Sequence, residues 1–231
     1  MKVFLLPFAG ANRYSYYEFS KKSTDQLLFI PLEIPGRGRR FKESLLDSID
    51  SMVNDIVCQL NVNPTEKYAL FGHSMGAIIG YKLIHHQIKN NLPMPIHLFV
   101  SGSAGPSFIN KHEILYNLPK DEFFKKISEL GGIKPEVQND NELLDFFEPI
   151  LRADFKAVET FQHVESPKLN LPITVLAGDS EVITNEQLLL WQEETIQSTE
   201  TIIMKGNHFF IFDHVDEIIK LVRLKLAVYV S

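Results

Sequence analysis

Tyr68-Ala69-Leu70-Phe71-Gly72-His73-Ser74-Met75-Gly76-Ala77-Ile78-Ile79-Gly80-Tyr81-Lys82-Leu83 is the stretch that decides the fold. An apolar run enters it, a Gly-x-Ser-x-Gly turn bends it, and a segment with helical apolar spacing leaves it. Strand, tight turn and helix in that order form the context of a nucleophile elbow, where flanking side chains would collide with the neighbouring strand and helix. Ser74 would then project above a sheet edge at a helix N-terminus, whose partial positive charge favours an oxyanion. The plainer reading is a turn serine between two glycines.

Outward from this stretch, short apolar runs recur at Val3 to Pro7, Leu27 to Leu32, His97 to Ser101, Ile173 to Ala177 and Thr201 to Met204. With Tyr68 to Phe71 they make six strands, apolar at both parities, as expected of a parallel sheet buried on both faces. Helices are expected near residues 44 to 61, 75 to 89, 186 to 196 and 213 to 229, where Val215, Ile218, Ile219 and Val222 share one stripe. The expected class is α/β, with an open, mostly parallel, doubly wound sheet.

The strand and helix rhythm breaks between Ser103 and about Pro167. The expectation is a single domain over residues 1–231 with a helical insertion at about residues 104–166. Pro119, Asp121 and Glu122 open one helix there, Phe123, Phe124, Ile127 and Leu130 form its stripe, and Gly131-Gly132 ends it. From Leu143 to Phe155, apolar residues occupy most of a helix circumference, so that helix should need cover on more than one side. Either these residues are ordinary core, or their inner face belongs to a lid over an apolar channel.

The 231 residues carry 23 basic and 29 acidic side chains, a net charge of −6 that favours neither nucleic acid nor an anionic membrane. A single cysteine, Cys58, rules out an internal disulfide; a small buried side chain is its expected role. The first apolar run is too short for a secretory segment, and no run approaches a membrane span, so a cytoplasmic protein is expected.

A serine hydroxyl needs a base, and the base needs an orienting group. Gly206-Asn207-His208-Phe209-Phe210 follows the last strand, which makes His208 the candidate base; His73, His85, His86, His97, His112, His163 and His214 sit in or beside other elements. After the fifth strand, Gly178-Asp179-Ser180-Glu181-Val182 offers two carboxylates, Asp179 and Glu181, and residue type alone does not choose between them. The amide of Met75 and one from the loop Pro7-Phe8-Ala9-Gly10-Ala11 are the candidate oxyanion donors.

Five segments in order resemble the stand-alone type II thioesterases of nonribosomal peptide and polyketide biosynthesis, members of the α/β-hydrolase superfamily. They are Leu6-Pro7-Phe8-Ala9-Gly10, Ile34-Pro35-Gly36-Arg37-Gly38-Arg39-Arg40, Gly72-His73-Ser74-Met75-Gly76, Pro149-Ile150-Leu151-Arg152-Ala153-Asp154-Phe155 and Gly206-Asn207-His208-Phe209-Phe210. The resemblance implies Ser74 as nucleophile, His208 as base, Met75 and Ala9 as oxyanion donors, and Phe8 and Phe209 against the substrate. It places the acid at Glu181, with Asp179 as the alternative, although Val182 stands where the family usually has proline. It also implies hydrolysis of acyl groups from the phosphopantetheine arm of carrier proteins, an editing role, with no cofactor or metal of its own, no nucleic acid or membrane partner, and a monomeric state. Arg37, Arg39, Arg40 and Lys42 are the densest basic cluster and either dock the carrier or brace the loop. Arg152 and Asp154 are expected to make structural pairs. A small-molecule carboxylesterase with the same triad, or a silent binding protein on the same scaffold, are the competing readings.

Overall fold

Alternating side chains of the strands divide between two separate cores. Phe4, Leu6, Leu70, Leu98, Val100, Ile173 and Val175 point into one, and Val3, Leu5, Ala69, Phe71, Phe99 and Leu176 into the other. That period of two is the pleat of a sheet covered on both faces. The computed structural model describes residues 1–108, 114–132 and 140–229. His112 lies outside these residues, as do parts of the expected insertion.

The six strands are β1 (Lys2–Leu6), β2 (Leu28–Pro31), β3 (Tyr68–His73), β4 (His97–Ser101), β5 (Ile173–Gly178) and β6 (Thr199–Met204). They pair in the order β2-β1-β3-β4-β5-β6, all parallel, with Leu5 opposite Phe71 and Phe71 opposite Phe99. Order reverses between β1 and β3, and in such sheets the crevice beyond the carboxyl ends of the strands at this switch point is where ligands bind.

Helices α2 (Ile49–Gln59) and α3 (Met75–Lys89) cover one face, and α1 (Tyr17–Lys21) and the last helix, Val215–Leu226, the other. Ser48 caps α2 by accepting the Ser51 N–H, and Ile49, Met52, Val53 and Ile56 form its buried face. Cys58 falls on the opposite face and is exposed, which corrects the expectation of a buried side chain. The short α1 was invisible in the sequence because five residues hold too little periodicity to register. The helix expected over residues 186 to 196 is split into α6 (Asn185–Leu189) and a 3-10 turn, Leu190–Glu194, in which Trp191 is fully buried and donates to the Ser103 carbonyl (2.9 Å).

Between β4 and β5 lie α4 (Lys120–Glu129) and α5 (Asn141–Glu159), with Asp140 capping the Glu142 and Leu143 amides. Phe123, Phe124, Ile127, Leu144 and Leu151 form a third, separate apolar cluster between these helices. On α5, Ile150, Leu151 and Ala157 are buried, whereas Leu143 and Phe146 are exposed. The outer side of α5 is therefore not covered as its composition suggested; the Phe146 ring stacks on that of Phe41 at the surface. The final helix, α7 (Val215–Leu226), buries Ile218, Ile219 and Val222.

Candidate active site

The β3–α3 turn shows why its glycines are required. A Cβ on Gly72 would stand 2.1 Å from the Gly76 carbonyl oxygen, and one on Gly76 would stand 2.7 Å from the Leu6 carbonyl oxygen. Both obstacles are backbone. Ser74, at the apex, has φ 53° and ψ −119°, a strained conformation for a residue with a side chain. Its N–H donates to the Ser101 carbonyl (2.8 Å), which ties the turn to the end of β4. Ser74 Oγ makes no hydrogen bond among the described residues and faces a cavity of about 280 Å³.

That cavity collects residues far apart in sequence. Phe8 and Ala9 come from the loop after β1, Glu181 from the loop after β5, and His208 and Phe209 from the loop after β6. Ile127 and Leu130 of the α4 segment and Leu151 and Phe155 of α5 supply the opposite, apolar wall. The inner faces of the inserted helices thus line the same cavity as Ser74.

His208 Nδ1 lies 2.6 Å from Glu181 Oε1, and the Gly178 N–H donates to Glu181 Oε2 (2.7 Å). The Glu181 side chain is 2% exposed, so its charge acts at short range in a desolvated setting. Asp179 is turned away: its Oδ1 accepts from the Gly206 N–H (3.0 Å) and the Ser180 hydroxyl (3.0 Å), and these bonds hold its carboxyl below the ordinary range. Of the two carboxylates that the sequence offered, only Glu181 reaches the imidazole. With Nδ1 engaged as a donor, Nε2 of His208 is the nitrogen left to accept a proton.

The turn that holds Ala9 is closed by the Ala11 N–H donating to the Phe8 carbonyl (2.9 Å). Met75 occupies the first position of α3, where an amide has no intrahelical acceptor. Phe8 packs edge-on against Tyr16, His73, Phe209 and Phe212, which fixes the cavity floor.

His73, one of the competing histidines, touches the site from below. Its ring centroid lies 4.7 Å from that of His208, and its Nδ1 is 3.1 Å from Ser101 Oγ. Burial, reinforced by the nearby His208, pushes its pKa well below the ordinary value and keeps it neutral. The other described histidines stand elsewhere: His85 and His163 around Tyr81, His86 in the last turn of α3, His97 in β4, and His214 against the Lys205 carbonyl.

The basic cluster separates into two kinds. Arg37 is buried against Asp154, and Arg40 is bound to Asp55 and Glu43. Arg39 and Lys42 are exposed and form no ion pair among the described residues. Arg152 pairs with Glu148 and lies over the Phe123 ring. No group of three or more metal-ligating side chains occurs among the described residues, and none of their helices is long and apolar enough to cross a membrane.

Comparisons with known proteins agree with this architecture. The thioesterase domain family matches residues 1–226. The gramicidin S biosynthesis protein GrsT of Aneurinibacillus migulanus is 28% identical, over 98% of this chain and 91% of its own length. Among solved structures, ClbQ from the colibactin pathway superposes with a TM-score of 0.92 at 30% identity, covering 98% of this chain and 97% of ClbQ. The type II thioesterase BorB from the borrelidin cluster gives 0.87 at 27% identity, covering 100% and 92%. The chain belongs to the thioesterase domain family and is a serine thioester hydrolase of the α/β-hydrolase fold.

Proposed function

We propose that this chain removes acyl groups from the phosphopantetheine arms of synthase carrier proteins, clearing misprimed or stalled intermediates through Ser74, His208 and Glu181. The observation that carries this reading is the 2.6 Å contact of His208 with a buried Glu181 on the cavity that Ser74 faces. Similarity to proteins of the gramicidin S, colibactin and borrelidin pathways supports the choice of substrate.

In this mechanism Ser74 Oγ attacks the thioester carbonyl carbon while its proton passes to His208 Nε2. Glu181 stabilises the imidazolium. The Met75 and Ala9 amides take the developing negative oxygen; the tetrahedral state then collapses, the C–S bond breaks, and the departing sulfur takes the proton from His208 Nε2 and leaves as the thiol. Its pKa of about 8.5 makes it a far better leaving group than an alcohol or an amine, so little acid assistance is needed. Water, deprotonated by His208, then releases the acid from Ser74. Phe8 and Phe209 line the acyl side with the α4 and α5 wall. The mechanism draws on no cofactor of this chain's own, because the phosphopantetheine belongs to the partner.

The test compares turnover of acyl-loaded carrier proteins with simple oxygen esters of equal acyl length, using wild type and Ser74→Ala. A strong preference for carrier thioesters, lost in Ser74→Ala together with fluorophosphonate labelling, is expected. Equal turnover of the oxygen esters would instead identify a small-molecule carboxylesterase.

A further inference from the structure

One buried charged group joins three remote parts of the chain and is not part of the triad. Asp154, on α5, is 0% exposed, and Arg37, in the Ile34–Arg40 loop, is 2% exposed. Arg37 Nη1 donates to Asp154 Oδ2 (2.5 Å) and Nη2 to Oδ1 (2.9 Å), a bidentate pair. A third donor completes the carboxylate: the backbone N–H of Gly10, 2.7 Å from Oδ2. Gly10 directly follows Ala9.

The local geometry makes that third bond consequential. Ala9 and Gly10 are the central residues of the turn closed by the Ala11 N–H and the Phe8 carbonyl, and Gly10 has φ +78°, the value such a turn needs at its third position. A Cβ on Gly10 would stand 2.8 Å from Leu151 Cδ2, so the turn lies hard against α5 one helical turn from Asp154. Pinning the Gly10 peptide fixes the plane next to the Ala9 amide. Burial pushes the Asp154 carboxyl up, and the Arg37 fork and the Gly10 N–H oppose that shift, so the buried carboxylate is held in one geometry by three donors. A neutral partner or water would satisfy one N–H at far lower desolvation cost.

We propose that Asp154 and Arg37 are positioning residues for the oxyanion donor: by holding the Gly10 N–H they set the direction of the Ala9 amide above Ser74. The assignment rests on the Ser74 reading given above. It differs from a mere tether of α5 to the body in what it predicts. Loss of a tether lowers stability and leaves the chemistry of the surviving folded enzyme intact. Loss of the aim weakens binding of the tetrahedral state more than binding of the substrate.

The experiment measures kcat and KM for a thioester, with affinities for a boronic acid that forms a tetrahedral adduct and for a non-hydrolysable thioether analogue. Three variants are compared: Asp154→Asn, Arg37→Lys, and the apolar exchange Arg37→Met with Asp154→Leu. The exchange keeps the site filled without an unpaired charge and serves if Asp154→Asn does not fold. Expected are a 10- to 100-fold fall in kcat for Asp154→Asn and for the exchange, about a 3- to 10-fold fall for Arg37→Lys, and KM within about 3-fold. Boronate affinity falls in parallel with kcat and thioether affinity holds. A folded exchange variant with wild-type kcat and boronate affinity overturns the positioning role while leaving the triad intact. Full activity in Ser74→Ala would overturn the triad reading instead.

Discussion

Glu181 accepts from the Gly178 N–H through one oxygen and meets His208 through the other, so its position is fixed by the end of β5. In the proposed mechanism, converting it to Gln keeps the shape, removes the charge that stabilises the imidazolium and allows the wrong tautomer. Glu181→Gln is expected to lower kcat by about 10³- to 10⁴-fold. Asp179→Asn, which alters only a surface loop contact, is expected to stay within about 2-fold. Steady-state kinetics of the two variants on one thioester decide the point, and a large loss confined to Asp179→Asn would reverse the assignment. Ser74 and His208 could be picked out as candidates because each sits where a named turn must occur. The carboxylate that meets His208 could not, because two carboxylates two residues apart on one short loop differ only in the direction the loop gives them. Asp154 was legible as a structural pair, but its bond to an amide 144 residues away leaves no local signal.

At the scale of elements, the β3–α3 elbow was readable because its constraint is steric and local. Gly72→Ala sets a methyl group against an immovable carbonyl, and the expected cost is about 1–3 kcal/mol. For a chain of this length that corresponds to a fall in Tm of roughly 2–12 °C, measured by thermal unfolding. An unchanged Tm would mean that the elbow is looser than its geometry indicates. The inserted helices were readable as helices, but their exposure was not: Phe146 is as apolar as Phe147 and lies outside, because nothing in helical periodicity records where the neighbouring loop ends. The same applies to the basic segment, in which Arg37 and Arg40 find acidic partners from distant elements and Arg39 and Lys42 do not. If this face meets an anionic carrier, Arg39→Glu with Lys42→Glu raises KM for the carrier substrate and flattens its salt dependence, with no change for a small thioester. Charge reversal without effect on either quantity would remove this face from docking.

The whole molecule carries its least visible constraint in the sheet, where the alternation that made six strands legible also buries polar side chains among apolar ones. His97, in β4, is 4% exposed, stacks on Phe99 and meets Thr174 Oγ1 (2.9 Å), while its Nδ1 has no partner among the described residues. Burial, with the Lys225 charge adding to it and Glu200 opposing, pushes its pKa down from 6.5 to about 4. His73 is shifted in the same direction by burial. Between the two values the unfolded chain binds a proton that the folded chain refuses, so stability rises with pH there. The contribution is fully present above about pH 6.5 and is lost progressively as pH falls toward 4. Each such histidine contributes a slope of at most about 1.4 kcal/mol per pH unit. Urea unfolding of wild type and His97→Gln at pH 6.5, 6.0, 5.5 and 5.0 isolates one of them, since the carboxylates titrate alike in both proteins. The expected result is a shallower loss of unfolding free energy in His97→Gln by up to about one proton's worth of slope. Parallel curves would show that His97 takes up its proton within the folded sheet, and any acid sensitivity would then belong to other groups, the buried His73 and the partly buried His85 among them.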